Sequence, residues 1–317
     1  MGTVRIPRVS PSAFGKLATT VAVCYGLLVV TGGAVRLTGS GLGCRDWPTC
    51  SKSDLIASAS FHPLVEFSNR CVTVVVSVVS IAVFLAALQR APRRRDLTLL
   101  SGLILGGLLA QVVLGGLVVL FKLNPWLVAL HFVLTLVMLL IAIVLRQQNL
   151  HSGARGAPRL PNGLLWLLRL QLATLAILVL AGTVVTGSGP HAGGPGAKRI
   201  DISFLKMAEL HADVALFLIG MSLASLFALH QAHAPGDIQR RARWFLELLA
   251  VQGTLGYTQF FLHDSAWVIE FHLLGATLLW SVLTIQYFAC FTHRAEVLRA
   301  KDATAEELAP AGAGVVS

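Results

Sequence analysis

Charged side chains are scarce in this chain: Asp, Glu, Lys and Arg make up 13% of its 317 residues, against about 25% in a soluble globular protein. Hydrophobic residues account for 55% and form continuous blocks of roughly 20 residues, the length at which a helix crosses a bilayer core. The blocks do not alternate with polar residues, which excludes a transmembrane β-barrel. The composition therefore predicts an all-α integral membrane protein in contact with membrane lipid.

The hydrophobic blocks predict eight transmembrane helices. Pro and Gly occur within some blocks, which membrane helices tolerate. The first block is too long for the apolar region of a signal peptide and is not followed by an Ala-x-Ala site, so we interpret it as an uncleaved span. The predicted spans are residues 17–37, 63–89, 97–121, 126–146, 163–186, 205–230, 244–262 and 267–290.

Acidic residues are fewer than basic ones, 15 against 25, which gives a formal charge of +10. The basic residues concentrate in the segments that face the cytoplasm if the N-terminus is inside, for example Arg93–Arg95 and Arg240–Arg243. By the positive-inside rule both termini are then cytoplasmic. The positive charge therefore indicates topology, and we exclude a nucleic-acid partner.

The second half of the chain repeats the plan of the first, with matching features 141 to 148 residues apart. Four spans return the chain to its starting side, so the halves share one orientation and a pseudo-twofold axis along the membrane normal is expected. We predict two four-helix bundles, residues 17–146 and 163–290, joined by a cytoplasmic linker at 147–162. Outside them lie a cytoplasmic N-terminus at 1–16 and a cytoplasmic tail at 291–317 that is expected to be disordered. The matching features are Thr38–Gly41 with Thr186–Gly189, Gln111 with Gln252, Gly115 with Gly256, Asn69 with His211, and His131 with His272.

Three histidines lie inside apolar blocks at a similar depth. His131, His211 and His272 are five or six residues from the outer ends of their predicted spans, roughly 8–9 Å along a helix. An imidazole in hydrocarbon is costly and indicates a functional site, and neutral imidazole is the usual axial ligand of haem iron. We predict that His211 and His272 bind one haem iron from opposite sides. The alternative is that each histidine is a hydrogen-bonded interior residue.

Glu66 and Arg70 lie four residues apart near the outer end of the second span. They share a helix face and could simply form an ion pair. In the functional alternative, Glu66 faces a substrate pocket and moves protons or stabilises positive charge, while Arg70 binds a haem propionate. His62 lies near the same helical stripe and either caps the helix or supplies the iron ligand that is missing at Asn69.

The chain has only five cysteines, of which Cys44 and Cys50 lie in the outer loop after the first span. The outer side of a bacterial membrane is oxidising, so a disulfide is plausible there. A redox-active thiol pair is the alternative. Zinc is disfavoured because no second pair of ligands is nearby.

The order and spacing of these motifs resemble the haem A synthase family. The resemblance implies a membrane oxidoreductase that converts a methyl group of haem O to the formyl group of haem A by successive hydroxylations and loss of water. The paired outer cysteines resemble the bacterial form of the family, which implies a Cys44–Cys50 disulfide and a place in the bacterial inner membrane. The matching segments, from about residue 31 to 280, are TGGAVRLTGSGLGCRDWPTC, HPLVEFSNR, the Q-x-x-x-GG span before ALHF, GTVVTGSGPHAG, ELHADVA and EFHLLGA.

The resemblance also implies roles for single residues. His211 and His272 would hold haem b as the cofactor. The first half would bind haem O, with His131 on one side of the iron and Glu66 as the carboxylate needed for turnover. Haem O would come from a haem O synthase, haem A would pass to terminal oxidase assembly, and electrons would leave to an unidentified acceptor.

One position departs from the family pattern. The family commonly has E-x-x-H-R, whereas this chain has Asn69 in place of the histidine, between Glu66 and Arg70. The substrate iron is therefore expected to be bound by His131 alone or completed by His62. Two other functions remain as alternatives: a di-haem electron-transfer protein, expected to have two histidines in each half, and a haem carrier, which would not need Glu66.

Overall fold

The computed structural model of the protein describes residues 8–52, 56–151, 156–191, 193, 197–262 and 265–292. Eight α-helices form this part of the chain, and each predicted span lies on one of them. The predicted disordered tail lies outside the described residues from residue 293 onward. The helices are α1 (Pro11–Leu37), α2 (Phe61–Gln89), α3 (Arg95–Leu120), α4 (Pro125–Leu150), α5 (Asn162–Ser188), α6 (Phe204–Gln231), α7 (Gly236–Phe261) and α8 (Ala266–Ala289).

Seven of the helices in the described residues are long and apolar enough to cross a membrane, so the protein is a multi-pass membrane protein. The exception is α7, where Asp237 and three arginines occupy the first turns and Gln, Gly and Thr recur further along. The prediction of a transmembrane span is thus confirmed for seven helices and stays a prediction for α7. The prediction of an all-helical fold is confirmed.

Polar capping groups decide where several helices begin. The side chain of Ser10 accepts a hydrogen bond from the backbone N–H of Ala13, and Pro11 occupies the first turn of α1. Asn124 caps α4 in the same way and is followed by Pro125. Such residues satisfy backbone donors that the helix leaves unpaired, and proline at the first position loses no hydrogen bond. As a result α1 begins well before the predicted residue 17.

Each helix packs against its neighbours along the chain. In the first half, α1 and α3 both pack on α2 and α4, around a core that includes Phe14, Tyr25 and Met138. In the second half, α5 and α7 both pack on α6 and α8. Contacts between the halves join α1 to α8, α4 to α8, and α4 to α5. The interface between the halves is therefore built mainly from α1, α4 and α8.

Candidate functional site

His211 of α6 and His272 of α8 face each other. Their ring centroids are 6.3 Å apart and the ring planes are inclined by 57°. Nδ1 of each ring is buried and has no hydrogen-bond partner among the described residues. Two imidazoles on opposite sides of one metal ion, each with a metal–nitrogen bond of about 2.0–2.1 Å, would have centroids roughly 6–6.5 Å apart. The observed centroid spacing therefore matches that of two imidazoles that share one metal ion.

His131, His211 and His272 are half-buried, and the ring of each lies against a glycine of the neighbouring helix. A side chain in place of that glycine would crowd the imidazole, because ordinary carbon–carbon contacts are about 3.5–4.0 Å. The glycines therefore form cradles that set how far each ring lies from the adjacent helix. The distances from a Cβ at the glycine position to Cε1 of the ring are 3.3 Å for Gly115 and His131, 3.1 Å for Gly182 and His211, and 3.2 Å for Gly256 and His272.

A glutamine supports the backbone of one histidine in each half. Nε2 of Gln111 donates to the carbonyl oxygen of His131 at 3.1 Å, and Nε2 of Gln252 donates to that of His272 at 2.7 Å. Both glutamines are buried. The repeated Q-x-x-x-G pattern was visible in the sequence, but its role was not. The glutamine holds the histidine's helix, and the glycine one turn later cradles the ring.

In the first half, the place of a second imidazole is taken by Asn69 on α2. Its side-chain oxygen accepts a hydrogen bond from Oγ1 of Thr31 on α1 at 2.7 Å, which fixes the amide. His62 lies at the second residue of α2, is exposed, and shares a 2.9 Å hydrogen bond between its Nδ1 and Oγ of Ser40. Seven residues separate it from Asn69, about 10 Å along a helix.

Glu66 and Arg70 form the ion pair that their spacing allowed, with 2.6 Å between Oε1 and Nη2. The second carboxylate oxygen of Glu66 accepts a hydrogen bond from the backbone N–H of Cys44 at 2.8 Å. Arg70 also donates to the carbonyl oxygens of Asp46 and Thr49. Glu66 is only 6% exposed. The pair therefore connects α2 to the outer loop.

That loop is closed by a disulfide between Cys44 and Cys50, so the predicted disulfide is confirmed. Both cysteines are buried. Labile and redox-active disulfides are usually exposed, so the burial favours a structural role for this bond. Through the backbone N–H of Cys44, the loop is anchored directly on Glu66.

Two charged residues at the interface between the halves were not assigned a role from the sequence. Arg36, in the last turn of α1, donates from Nε to the carbonyl oxygen of His191 at 2.8 Å and from Nη2 to that of Thr186 at 2.9 Å. Glu270 of α8 lies against Gly33 of α1, and both of its carboxylate oxygens are buried without a hydrogen-bond partner among the described residues.

Comparison with known proteins decides the family. A sequence model for the family described as cytochrome oxidase assembly protein matches residues 15–193, which is more than half of the chain. The chain belongs to the cytochrome oxidase assembly protein family. The matched residues include Glu66 and His131 and end before His211 and His272. The candidate site at His211 and His272 therefore depends on the internal repeat and on the geometry of these two residues.

Several curated proteins are similar in sequence to part of this chain. A haem A synthase of Lysinibacillus sphaericus is 37% identical over 38% of this chain and 39% of its own length. A haem A synthase of Exiguobacterium sibiricum is 30% identical over 44% of this chain and 49% of its own length. A protoheme IX farnesyltransferase of Thermus thermophilus is 31% identical over 38% of this chain and 19% of its own length. The chain thus matches between two fifths and one half of the length of the two synthases.

Proposed function

We propose that this protein is a haem A synthase, an oxidoreductase that converts a methyl group of haem O to the formyl group of haem A. The neighbouring rings of His211 and His272 carry the proposal, because a pair of imidazoles at this spacing inside a helical membrane protein would suit the two axial positions of a porphyrin iron. The names of the relatives support the choice of reaction.

The proposed architecture is a pair of four-helix bundles related by a pseudo-twofold axis along the membrane normal, in the bacterial inner membrane with both termini cytoplasmic. The contacts between the halves support the axis. A twofold rotation that exchanges the halves would place α1 on α5 and α4 on α8. It would turn the α1–α8 contact into the α5–α4 contact, and both contacts are present. It would leave the α4–α8 contact unchanged, and that contact is also present. The repeated glutamine–histidine contacts follow the same relation.

In the proposed cofactor site, His211 and His272 hold haem b, which supplies one-electron redox chemistry when bound. The chemistry of the donor set fits, since two half-buried imidazoles lie at a centroid spacing that suits axial ligation. Gly182 and Gly256 keep both rings close to the neighbouring helices. Gln252 holds the backbone of His272. These contacts preorganise the two ligands before the group binds.

In the proposed substrate site, His131 holds haem O from one side. An asparagine amide is a poor iron ligand, and the amide of Asn69 is already bound by Thr31. His62 lies about two turns away along α2 and is tied to Ser40. We therefore favour a substrate iron with one protein ligand, which suits a porphyrin that must leave as product.

Glu66 is the proposed carboxylate for turnover. Its carboxylate is buried at the outer end of the first half. It forms an ion pair with Arg70 and accepts a hydrogen bond from the backbone N–H of Cys44, and both contacts stabilise its negative charge. Such a group could stabilise positive charge on the substrate carbon as it is oxidised, or accept its proton. The same contacts would also suit a purely structural clamp for the outer loop, so the role of Glu66 needs a separate test.

The proposed partners follow from the reaction. Haem O would come from a haem O synthase, haem A would be delivered to terminal oxidase assembly, and the electrons released by the reaction would go to an unidentified acceptor. The family description, cytochrome oxidase assembly protein, supports the link to the oxidase.

The test is expression of the full chain in a host that makes haem O but no haem A, followed by mass analysis of the extracted haems. The proposal predicts haem A in cells with the wild-type chain and none in cells with His272→Ala. A folded, haem b-loaded protein that yields no haem A would instead indicate electron transfer. A protein that binds haem O and releases it unchanged would indicate a haem carrier.

A further inference from the structure

Arg36 links the two halves at their outer ends. It belongs to α1, yet its two hydrogen bonds from Nε and Nη2 go to carbonyl oxygens of the second half, at His191 and at Thr186 in the last turn of α5. A second bond between the halves lies beside it, from the backbone N–H of Gly41 to the carbonyl oxygen of Gly193. Arg36 is half-buried in this junction.

The positive charge of Arg36 is not neutralised by a carboxylate within the described residues. The ion pairs formed there join other arginines to Glu66, Asp96 and Asp237. Glu270 packs on Gly33, one turn further inside on α1, but forms no ion pair with Arg36. Carbonyl oxygens satisfy individual N–H groups without balancing a charge. A guanidinium has five N–H donors in a planar fork and usually recruits an anion when water is excluded.

The guanidinium lies one helical turn outward of the cofactor site. Thr186, whose carbonyl binds Arg36, is four residues after Gly182, and its hydroxyl donates to the Gly182 carbonyl at 2.8 Å. Gly182 cradles the ring of His211. One turn corresponds to about 5–6 Å along α5. Arg36 is thus near the level that the carboxylates of a haem would reach when its propionate edge faces the outer surface.

The α1 helix also covers the other side of the same site. Gly33 lies against Leu273 and Glu270, which are one residue after and two residues before His272 in α8. The helices α1 and α5 both pack on α8, and Arg36 joins the outer end of α1 to that of α5. The other outer cations of the second half, Lys198, Arg199 and Lys206, are exposed.

We propose that Arg36, a residue of the first half, binds a propionate of the haem held by His211 and His272 in the second half. An arginine fork binds a carboxylate through charge-assisted hydrogen bonds, which are stronger in a site with little water. The cofactor pocket is then completed across the interface between the halves. This inference rests on the cofactor part of the proposed function.

The experiment compares full-length protein reconstituted with haem b and with haem b dimethyl ester, in which both propionates are neutral. The variants are Arg36→Gln and Arg36→Lys, with Arg199→Gln as a control that removes an exposed outer cation of the second half. The measurements are the reduction midpoint potential and the rate of haem transfer to apomyoglobin.

With haem b, we expect Arg36→Gln to lower the midpoint potential, because a nearby positive charge favours the less positive ferrous state. We expect haem loss to be roughly ten- to a hundredfold faster, as for removal of a charged hydrogen bond, and Arg36→Lys to restore part of both properties. With the dimethyl ester, the effect of Arg36→Gln on the rate of haem loss should disappear, because the neutral esters cannot pair with the guanidinium. The shift in midpoint potential should remain, because it depends on the charge of Arg36 and not on the propionates. If Arg36→Gln does not fold, the Arg36→Lys variant gives the same comparison between the two porphyrins.

Equal effects of the Arg36 variants on haem loss with haem b and with its ester, or effects on haem loss no larger than those of Arg199→Gln, would overturn the proposal while leaving the cofactor site intact. Wild-type protein that takes up no haem b would overturn both. So would uptake that does not depend on His211 and His272.

Discussion

Replacing Gly256 by alanine should damage the cofactor site without removing any ligand. The new Cβ would lie 3.2 Å from Cε1 and 3.7 Å from Nδ1 of His272, whereas ordinary contacts are about 3.5–4.0 Å. The ring would have to retreat by roughly 0.3–0.5 Å, which exceeds the tolerance of about 0.2 Å on a metal–ligand bond. Overpacking of this kind costs about 1–2 kcal/mol, at the lower end of the usual range, and corresponds to roughly five- to thirtyfold weaker haem binding.

Gly253, three residues earlier on α7, provides the matched control. A Cβ at this position would meet nothing within 4 Å, so Gly253→Ala introduces the same methyl group on the same helix. Both variants would be loaded with haem b, and haem loss to apomyoglobin would be followed together with the low-spin absorption spectrum. We expect faster loss only in Gly256→Ala. If the two variants lose haem at the same rate as wild type, the reasoning from the glycine cradle is refuted.

Three further predictions concern the first half. The Glu66→Gln variant should still bind haem O but yield no haem A. The Arg70→Gln variant, which removes the ion pair but keeps the carboxylate, should retain turnover. An equal loss of haem A formation in both variants would show that Glu66 acts only as a clamp for the loop. The Asn69→His variant should give the bound substrate haem a six-coordinate low-spin spectrum in place of a five-coordinate one, and should lower the affinity of the haem for carbon monoxide. A wild-type spectrum that is already low-spin would contradict a substrate iron with one protein ligand. Replacing Cys44 and Cys50 together by serine should lower the melting temperature, with a loss of about 2 kcal/mol for so short a loop, and an unchanged melting temperature would argue that the disulfide contributes nothing to stability.

Hydropathy predicted where each of the eight helices of the described residues lies. Seven of them contain the continuous apolar block that a membrane span needs, and α7 is less apolar. Hydropathy placed the ends of the helices less well. The α1 helix begins at Pro11 and α4 continues to Leu150, since caps and polar last turns extend a helix beyond its apolar part. The predicted span at 244–262 missed the first turns of α7, which are helical although they are rich in arginine.

The candidate ligands could be predicted because the repeat aligns His131 with His272 and because buried imidazoles are rare. The contacts that hold these candidate ligands in place could not be predicted. The bond from Gln252 to the backbone of His272 joins two helices, and the cradle at Gly182 depends on how α5 packs on α6. Neither relation follows from the spacing within one segment. The repeat of Q-x-x-x-G was the signal, and only the packing shows what the glutamine and the glycine do.

Contacts between the halves were the least predictable feature. Arg36 bonds to residues about 150 positions away in the chain, and its repeat-related position in the second half carries valine at Val184, so the internal repeat gave no guide. The available signal was an arginine at the end of an apolar span, for which a specific partner is expected.

The proposed function depends on the binding of one haem iron by His211 and His272 from opposite sides. Electron paramagnetic resonance of the ferric, haem b-loaded protein reports the axial ligands of that iron. We expect a low-spin signal typical of two imidazole ligands, which is lost in both His211→Ala and His272→Ala and is restored in part by added free imidazole. A low-spin signal that persists unchanged in the variant lacking both histidines would show that other residues bind the iron.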